Sequence, residues 1–269
     1  MKFFNHMTFG QYVPAESPVH GLDPRCKILV VLVILTGIFM AKHPAVFAAW
    51  GVLLAGLTLA ARLPTKLVLG SAKPVLILAL FTASIHIFFT KGEPLFSLGI
   101  INITSEGLVL ALYMGLRLIF LVLFASFLTL TTRPMELADG LERLFSPFAR
   151  FGFPAHELAM MMTIALRFIP TLLDETDRIM KAQLARGASF DRGGLWKRLK
   201  AFIPVLIPLF VIVFQRAEDL AVAMEARNYR GGAGRTRMNP LRWRGADTAA
   251  LILVPLAVFI LVHADRSLA

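Results

Sequence analysis

The apolar residues of this chain come in blocks about as long as a lipid bilayer is thick. Ile28–Ala41, Pro44–Ala61, Pro74–Thr90, Gly107–Leu130 and Thr248–Val262 run for 14 to 24 residues with at most one charge apiece. A hydrocarbon core of about 30 Å takes roughly 20 helical residues to cross. Lipid offers no partner to a backbone N–H or C=O, so such blocks must bond internally as helices. They also lack the one-sided apolar stripe of a soluble helix. Of 269 residues, 57% are hydrophobic and 17% charged, against about 45–50% and about 25% in soluble domains. The expected fold class is all-α: a polytopic membrane protein with about five transmembrane helices plus long kinked cytoplasmic helices.

Within that frame the sequence divides into three segments. Residues 1–130 hold an N-terminal cytoplasmic segment and four spans, 131–246 a charged cytoplasmic region, and 247–269 the last span and a short C-terminus. The first span opens with Asp23 as cap and Pro24 at the first helical position. Lys91–Ser105, too short and polar to span, reads as a small hairpin. The middle segment holds 18 of 28 Lys/Arg and 11 of 17 Asp/Glu. Cytoplasmic loops carry the excess of Lys and Arg. Lys2, Arg25, Lys27, Arg62, Lys66 and Lys73 therefore place their segments inside, the middle segment with them, and the C-terminus outside. The apolar stretches Leu158–Leu173 and Ala201–Phe214 contain Pro170, Pro204 and Pro208. If both crossed, Arg186, Arg192, Lys197, Arg198 and Lys200 would lie outside, against the charge rule. They read instead as long, proline-bent helices in or under the cytoplasmic leaflet.

The same features exclude several functions. A net charge of +11 follows from positive-inside loops, and no basic-aromatic module for nucleic acid is present. One cysteine, Cys26, permits neither an intrachain disulfide nor a Cys-based metal site; it reads as a small buried packing residue. Residues 1–25 lack the apolar core of a secretory signal. Without a phosphate-loop motif the chain cannot cradle ATP in the usual way, and no hydrolase or metalloprotease motif appears. No cofactor and no catalytic or metal site is expected.

One feature remains unexplained by membrane insertion. Ala182-Gln-Leu-Ala-Arg-Gly187 is echoed 41 residues later by Ala223-Met-Glu-Ala-Arg-Asn228. Gly and Asn are the residues that most readily close a helix in the left-handed conformation. Each copy reads as a helix end presenting one arginine beside small alanines: Ala185, Arg186 and Gly187, then Ala226, Arg227 and Asn228. An arginine also complements the negative end of a helix dipole, which would explain one copy alone. Two copies suit two similar partner grooves, where a guanidinium fork can grip a carboxylate or carbonyl edge. Upstream, Asp174–Arg178 and Asp177–Lys181 are expected as helix-supporting pairs.

Gly10-x-Tyr12-x-Pro14, His20-x-Leu22-Asp23-Pro24-Arg25-x-Lys27 and Leu166-Arg-Phe-Ile-Pro170 precede the first copy. Met224-Glu-Ala-Arg-Asn-Tyr-Arg-Gly-Gly232 and Gly234-Arg-Thr236 close the ordered set. Together these resemble the transmembrane T component of energy-coupling factor (ECF) importers, in the shared-module branch, related to cobalt and biotin transporter T components. The resemblance implies a membrane scaffold in the plasma membrane. It implies two ABC-type ATPase subunits docking at Arg186 and Arg227, and a substrate-binding S component that supplies the vitamin or metal. Asn228 departs from the Ala-Arg-Gly form but keeps the capping logic. The alternative from a different class is a self-sufficient carrier or channel, which would show polar or broken helices at mid-membrane. Arg117 is an intramembrane charge read as a structural ion pair or a snorkelling group, and His86 as a hydrogen-bonded core residue. Met160, Met161 and Met162 read as apolar filling, or as an adaptable surface for exchangeable partners.

Overall fold

The computed structural model describes residues 12–92, 94–98, 101–190, 194–231 and 241–268. Gly10, Arg192, Gly232, Gly234, Arg235 and Thr236 lie outside the described residues. Helices dominate: α1 (Pro24–Met40), α2 (Pro44–Ala60), α3 (Thr65–Gly70), α4 (Lys73–Phe89), α5 (Ser105–Thr131), α6 (Pro134–Phe145), α7 (Ala155–Ala185), α8 (Leu195–Ala226) and α9 (Gly245–Leu268). The only strands among the described residues, β1 (Pro94–Leu98) and β2 (Ile101–Thr104), pair antiparallel as the expected hairpin between α4 and α5.

Among the described residues, four helices are long and apolar enough to cross a membrane: α5, α7, α8 and α9. Two of them, α5 and α9, contain expected spans. The other three expected spans, α1, α2 and α4, have 17 residues each, or about 25 Å, at the lower edge of spanning length. The stretches Leu158–Leu173 and Ala201–Phe214 lie inside α7 and α8, which run on through their prolines for 31 and 32 residues.

The chain folds as two compact units. One takes in residues 10–140 and 240–269; the other takes in 141–239. The first is built on α1, α2, α5 and α9. Gly37 of α1 lets the helices close in: a Cβ there would lie 2.5 Å from Val258 and 2.9 Å from Trp50. Trp50 is fully buried and meets Phe124 edge-on at 5.8 Å, while Phe47 stacks on Tyr113 at 5.5 Å. Ile34, Ile38, Leu54, Phe127 and Leu130 complete the core.

Polar contacts fix both ends of α1. At its C-terminus, Arg117 of α5 donates through Nη2 to the Ala41 carbonyl at 2.6 Å. Among the described residues, Arg117 thus acts as a hydrogen-bonding clamp on a backbone carbonyl and has no ion-pair partner. Asp265 of α9 accepts the next two backbone N–H groups, from Lys42 at 3.1 Å and His43 at 2.7 Å. The cation faces the negative end of α1 and the carboxylate the positive end of α2, as helix dipoles favour. At the N-terminus of α1, Asp23 caps the helix by accepting the Arg25 N–H, as expected. Cys26 is fully buried, and its Sγ donates to the Asp247 carbonyl at 3.3 Å. The His86 imidazole differs from expectation: it is half-buried and makes no hydrogen bond to a described residue.

The second unit is a pair of long helices running antiparallel. Met180, Phe190 and Val205 form a small core where α7 ends and α8 begins, with Phe190 packed on Phe202 at 5.2 Å. Proline at 208 has no N–H to give the Pro204 carbonyl; the Gln183 side chain donates to that carbonyl instead, at 3.3 Å. A helical hairpin is held here by a bond that the proline itself makes available.

Candidate functional site

The two echoed sequences close their helices with the same hydrogen bonds. At the end of α7, Arg186 is the C-cap and Gly187 takes φ +88°. Gly187 N–H donates to Leu184 C=O at 3.0 Å, and Ala188 N–H to Gln183 C=O at 2.9 Å. At the end of α8, Arg227 is the C-cap and Asn228 takes φ +55°. Asn228 N–H donates to Glu225 C=O at 2.8 Å, and Tyr229 N–H to Met224 C=O at 3.0 Å. Both sets are the 5→2 and 6→1 bonds of a Schellman motif. Asn228 therefore does what Gly187 does, at the cost of a left-handed non-glycine residue. All six residues, Ala185, Arg186, Gly187, Ala226, Arg227 and Asn228, are exposed.

Their surroundings differ. The α7 end turns directly into the Met180–Phe190–Val205 cluster. The α8 end borders a cavity of about 470 Å³ with an apolar floor of Met160, Ile164, Leu220 and Met224, and Arg227 and Arg230 at its rim. Beside it, His156 at the start of α7 hydrogen-bonds Glu142 at 3.0 Å, and Tyr229 Oη lies 3.5 Å from the other imidazole nitrogen. Because α7 and α8 are antiparallel, Arg186 and Arg227 stand at opposite ends of the pair, on the order of 40 Å apart at 1.5 Å per helical residue. Met160 lines the cavity, while Met161 and Met162 are exposed rather than packed. Upstream, Lys181 pairs with Asp177 at 2.6 Å, as expected. Arg178 instead reaches Glu175 at 3.7 Å rather than Asp174, since i,i+3 and i,i+4 neighbours lie equally close on a helix.

The polar node at the first turn of α1 has no counterpart in the sequence reading. Asp247, fully buried, accepts the Asp23 N–H through Oδ1 and the Arg244 N–H through Oδ2, both at 2.7 Å. Lys27 Nζ donates to the carbonyls of His20 and Thr131, each at 3.0 Å. Burial would raise the Asp23 carboxyl, but hydrogen bonds and charge from Arg25 outweigh it and hold the group below its usual range. His20, hydrogen-bonded to Ser17 and Val13, is lowered from its usual value by burial and by the Lys27 charge, against the pull of the Val13 carbonyl.

These features define a class: a predominantly helical membrane protein with two matched, arginine-bearing helix ends. Comparison with known proteins narrows it. The cobalt transport protein family, CbiQ, matches residues 15–238. The chain is 58% identical over 267 residues to the energy-coupling factor transporter transmembrane protein EcfT of Thermanaerovibrio acidaminovorans, covering 99% of each chain. It is 52% identical to EcfT of Acidaminococcus fermentans over 95% of each. Against EcfT of Bacillus subtilis it is 44% identical, over 94% of this chain and 97% of that one. The chain belongs to the family of transmembrane components of energy-coupling factor transporters.

Proposed function

We propose that this protein is the non-catalytic scaffold of an ECF-type importer, transmitting ATP hydrolysis by two cytosolic ATPase subunits to uptake through a membrane-embedded S component. The observation carrying this reading is the pair of Schellman-closed helix ends, equivalent in backbone and both exposing an arginine. Ends on the order of 40 Å apart along a helix pair suit two separate subunits better than one. Arg186 and Arg227 each enter an ATPase groove, with Ala185 and Ala226 small enough to let the helix end approach. The 131–246 segment faces the cytoplasm of a cell-membrane protein, and the C-terminus lies outside. Exposed apolar side chains on α8, among them Ile203, Ile207, Phe210 and Phe214, offer the S component an adaptable face. The vitamin or metal is recognised by that partner.

Co-purification tests the reading. Arg186→Glu and Arg227→Glu should each lower ATPase yield and uptake, since breaking a buried charged contact costs about 3–5 kcal/mol. The double variant should abolish both while still inserting in the membrane. Wild-type complex yield and uptake in the double variant would reduce the arginines to helix caps.

A further inference from the structure

The chain leaves the unit of residues 10–140 and 240–269 after Gly140 and re-enters it at residue 240, and the segments on both sides make contacts to Asp23–Lys27. On the way out, Val13 N–H bonds the Leu130 carbonyl at 3.0 Å and Lys27 Nζ holds the Thr131 carbonyl. Arg133 lies over the Tyr12 ring at 5.2 Å. The outgoing helix α6 then rests on α1: a Cβ at Gly140 would stand 3.0 Å from Pro24 Cβ and 3.5 Å from the Arg25 nitrogen. On the way back, Arg25, locked bidentately to Asp23, lies 5.3 Å from the Trp243 ring centroid. Asp247 then accepts from the N–H of Asp23, the N-cap of α1, and from the N–H of Arg244, the residue before α9. A carboxylate shared between two helix N-termini complements both dipoles at once. It cannot follow one helix without pulling the other.

We infer that the first turn of α1 is a common anchor through which displacement of the 141–239 unit reaches the membrane helices. Asp247 and Gly140 are its positioning residues. Two crossings fixed to one rigid turn deliver movement as a single displacement; two crossings fixed separately would let the outgoing and returning segments move independently. Coupling two sites requires an element with two arrangements whose balance both sites bias, and an anchor touched by both segments is placed to be biased by both. This inference rests on the coupling reading for its purpose, not for its geometry.

Two measurements on Asp247→Asn and Gly140→Ala test it. Asn keeps the size of Asp247 but turns an amide donor towards one of the two N–H groups. Ala at 140 needs only a few tenths of an ångström from Pro24. The first measurement is hydrogen exchange on the full chain in nanodiscs, which needs no partner. D247N should speed exchange in residues 134–140, and G140A in residues 241–248, each across the anchor from its own lesion. Faster exchange confined to the mutated crossing would overturn the inference. The second is uptake per ATP hydrolysed in proteoliposomes carrying the complete complex. Each variant should assemble and hydrolyse ATP as wild type but lose at least fivefold in uptake per ATP, and the double variant should be no worse than the worse single. Unchanged ratios, or losses that multiply in the double variant, would refute a shared anchor. Failure of the coupling reading would show separately, as undiminished ATPase yield in R186E/R227E.

Discussion

Replacing Asp265 by Ala removes the acceptor of two backbone N–H groups, from Lys42 and His43, at a site where the carboxylate is 3% exposed. Leaving a buried donor unsatisfied costs about 1–3 kcal/mol. Lys42 itself is exposed, so water can reach its N–H in part and the lower half of that range applies to it. Loss of the negative charge at the α2 N-terminus adds about 0.3–1 kcal/mol. The sum is about 2–6 kcal/mol. For a domain of this size 1 kcal/mol moves a melting midpoint by about 2–4 °C, so D265A should melt roughly 5–24 °C lower in a single detergent. Asp265→Asn retains one acceptor oxygen and should lose less than half as much. Arg117→Met, which frees the Ala41 carbonyl, should cost about 1–3 kcal/mol, and less than additively with D265A because both groups hold one loop. A D265A midpoint within 1 °C of wild type, or D265N as damaging as D265A, would refute the clamp.

Four further outcomes are expected. Gly37→Val forces a side chain against Val258 and Trp50 and should destabilise by about 1–3 kcal/mol, read as a lower midpoint with the helical signal retained. Gly187→Ala strains a residue at φ +88° by about 1–2 kcal/mol and should lower ATPase yield, whereas Asn228→Gly should leave it at or above wild type. His20 binds its proton less readily folded than unfolded; its contribution is complete above about pH 6.5 and is lost as pH falls through the lowered folded value. His20→Gln should flatten that acid limb of the melting profile. A Cys placed at Ser189 in a Cys26→Ser background should resist a membrane-impermeant thiol reagent added outside, and one at Ser267 should react; reaction at 189 would reverse the proposed orientation.

Local grammar made the helix ends legible. Ala-Arg-Gly and Ala-Arg-Asn specify a C-cap followed by a left-handed residue, information carried within six positions, and both closed with identical bonds. Asp23 and Pro24 opened α1 for the same reason. The contacts of Asp247 with Asp23 and of Asp265 with Lys42 and His43 were not legible, because they span more than 220 positions along the chain and a lone acid carries no address. Arg117 announced itself as an intramembrane charge, but its acceptor is a backbone carbonyl, which every residue possesses. Arg178 could reach either Asp174 or Glu175, and only side-chain geometry chose. His156 sits at a helix start with no motif around it, so its place beside Tyr229 followed from the antiparallel pairing of α7 and α8.

The bond from Asp23 to Asp247 spans 224 positions, and that span has a consequence for biogenesis. At about 5–20 residues per second, the ribosome delivers Asp247 on the order of 10–45 s after Asp23. Throughout that interval the Asp23 N–H and the close-packing Gly37 of the first helix have no α9 to meet. A chain that ends before the last helix therefore leaves the Asp23 N–H without its acceptor and the face of α1 at Gly37 without Val258.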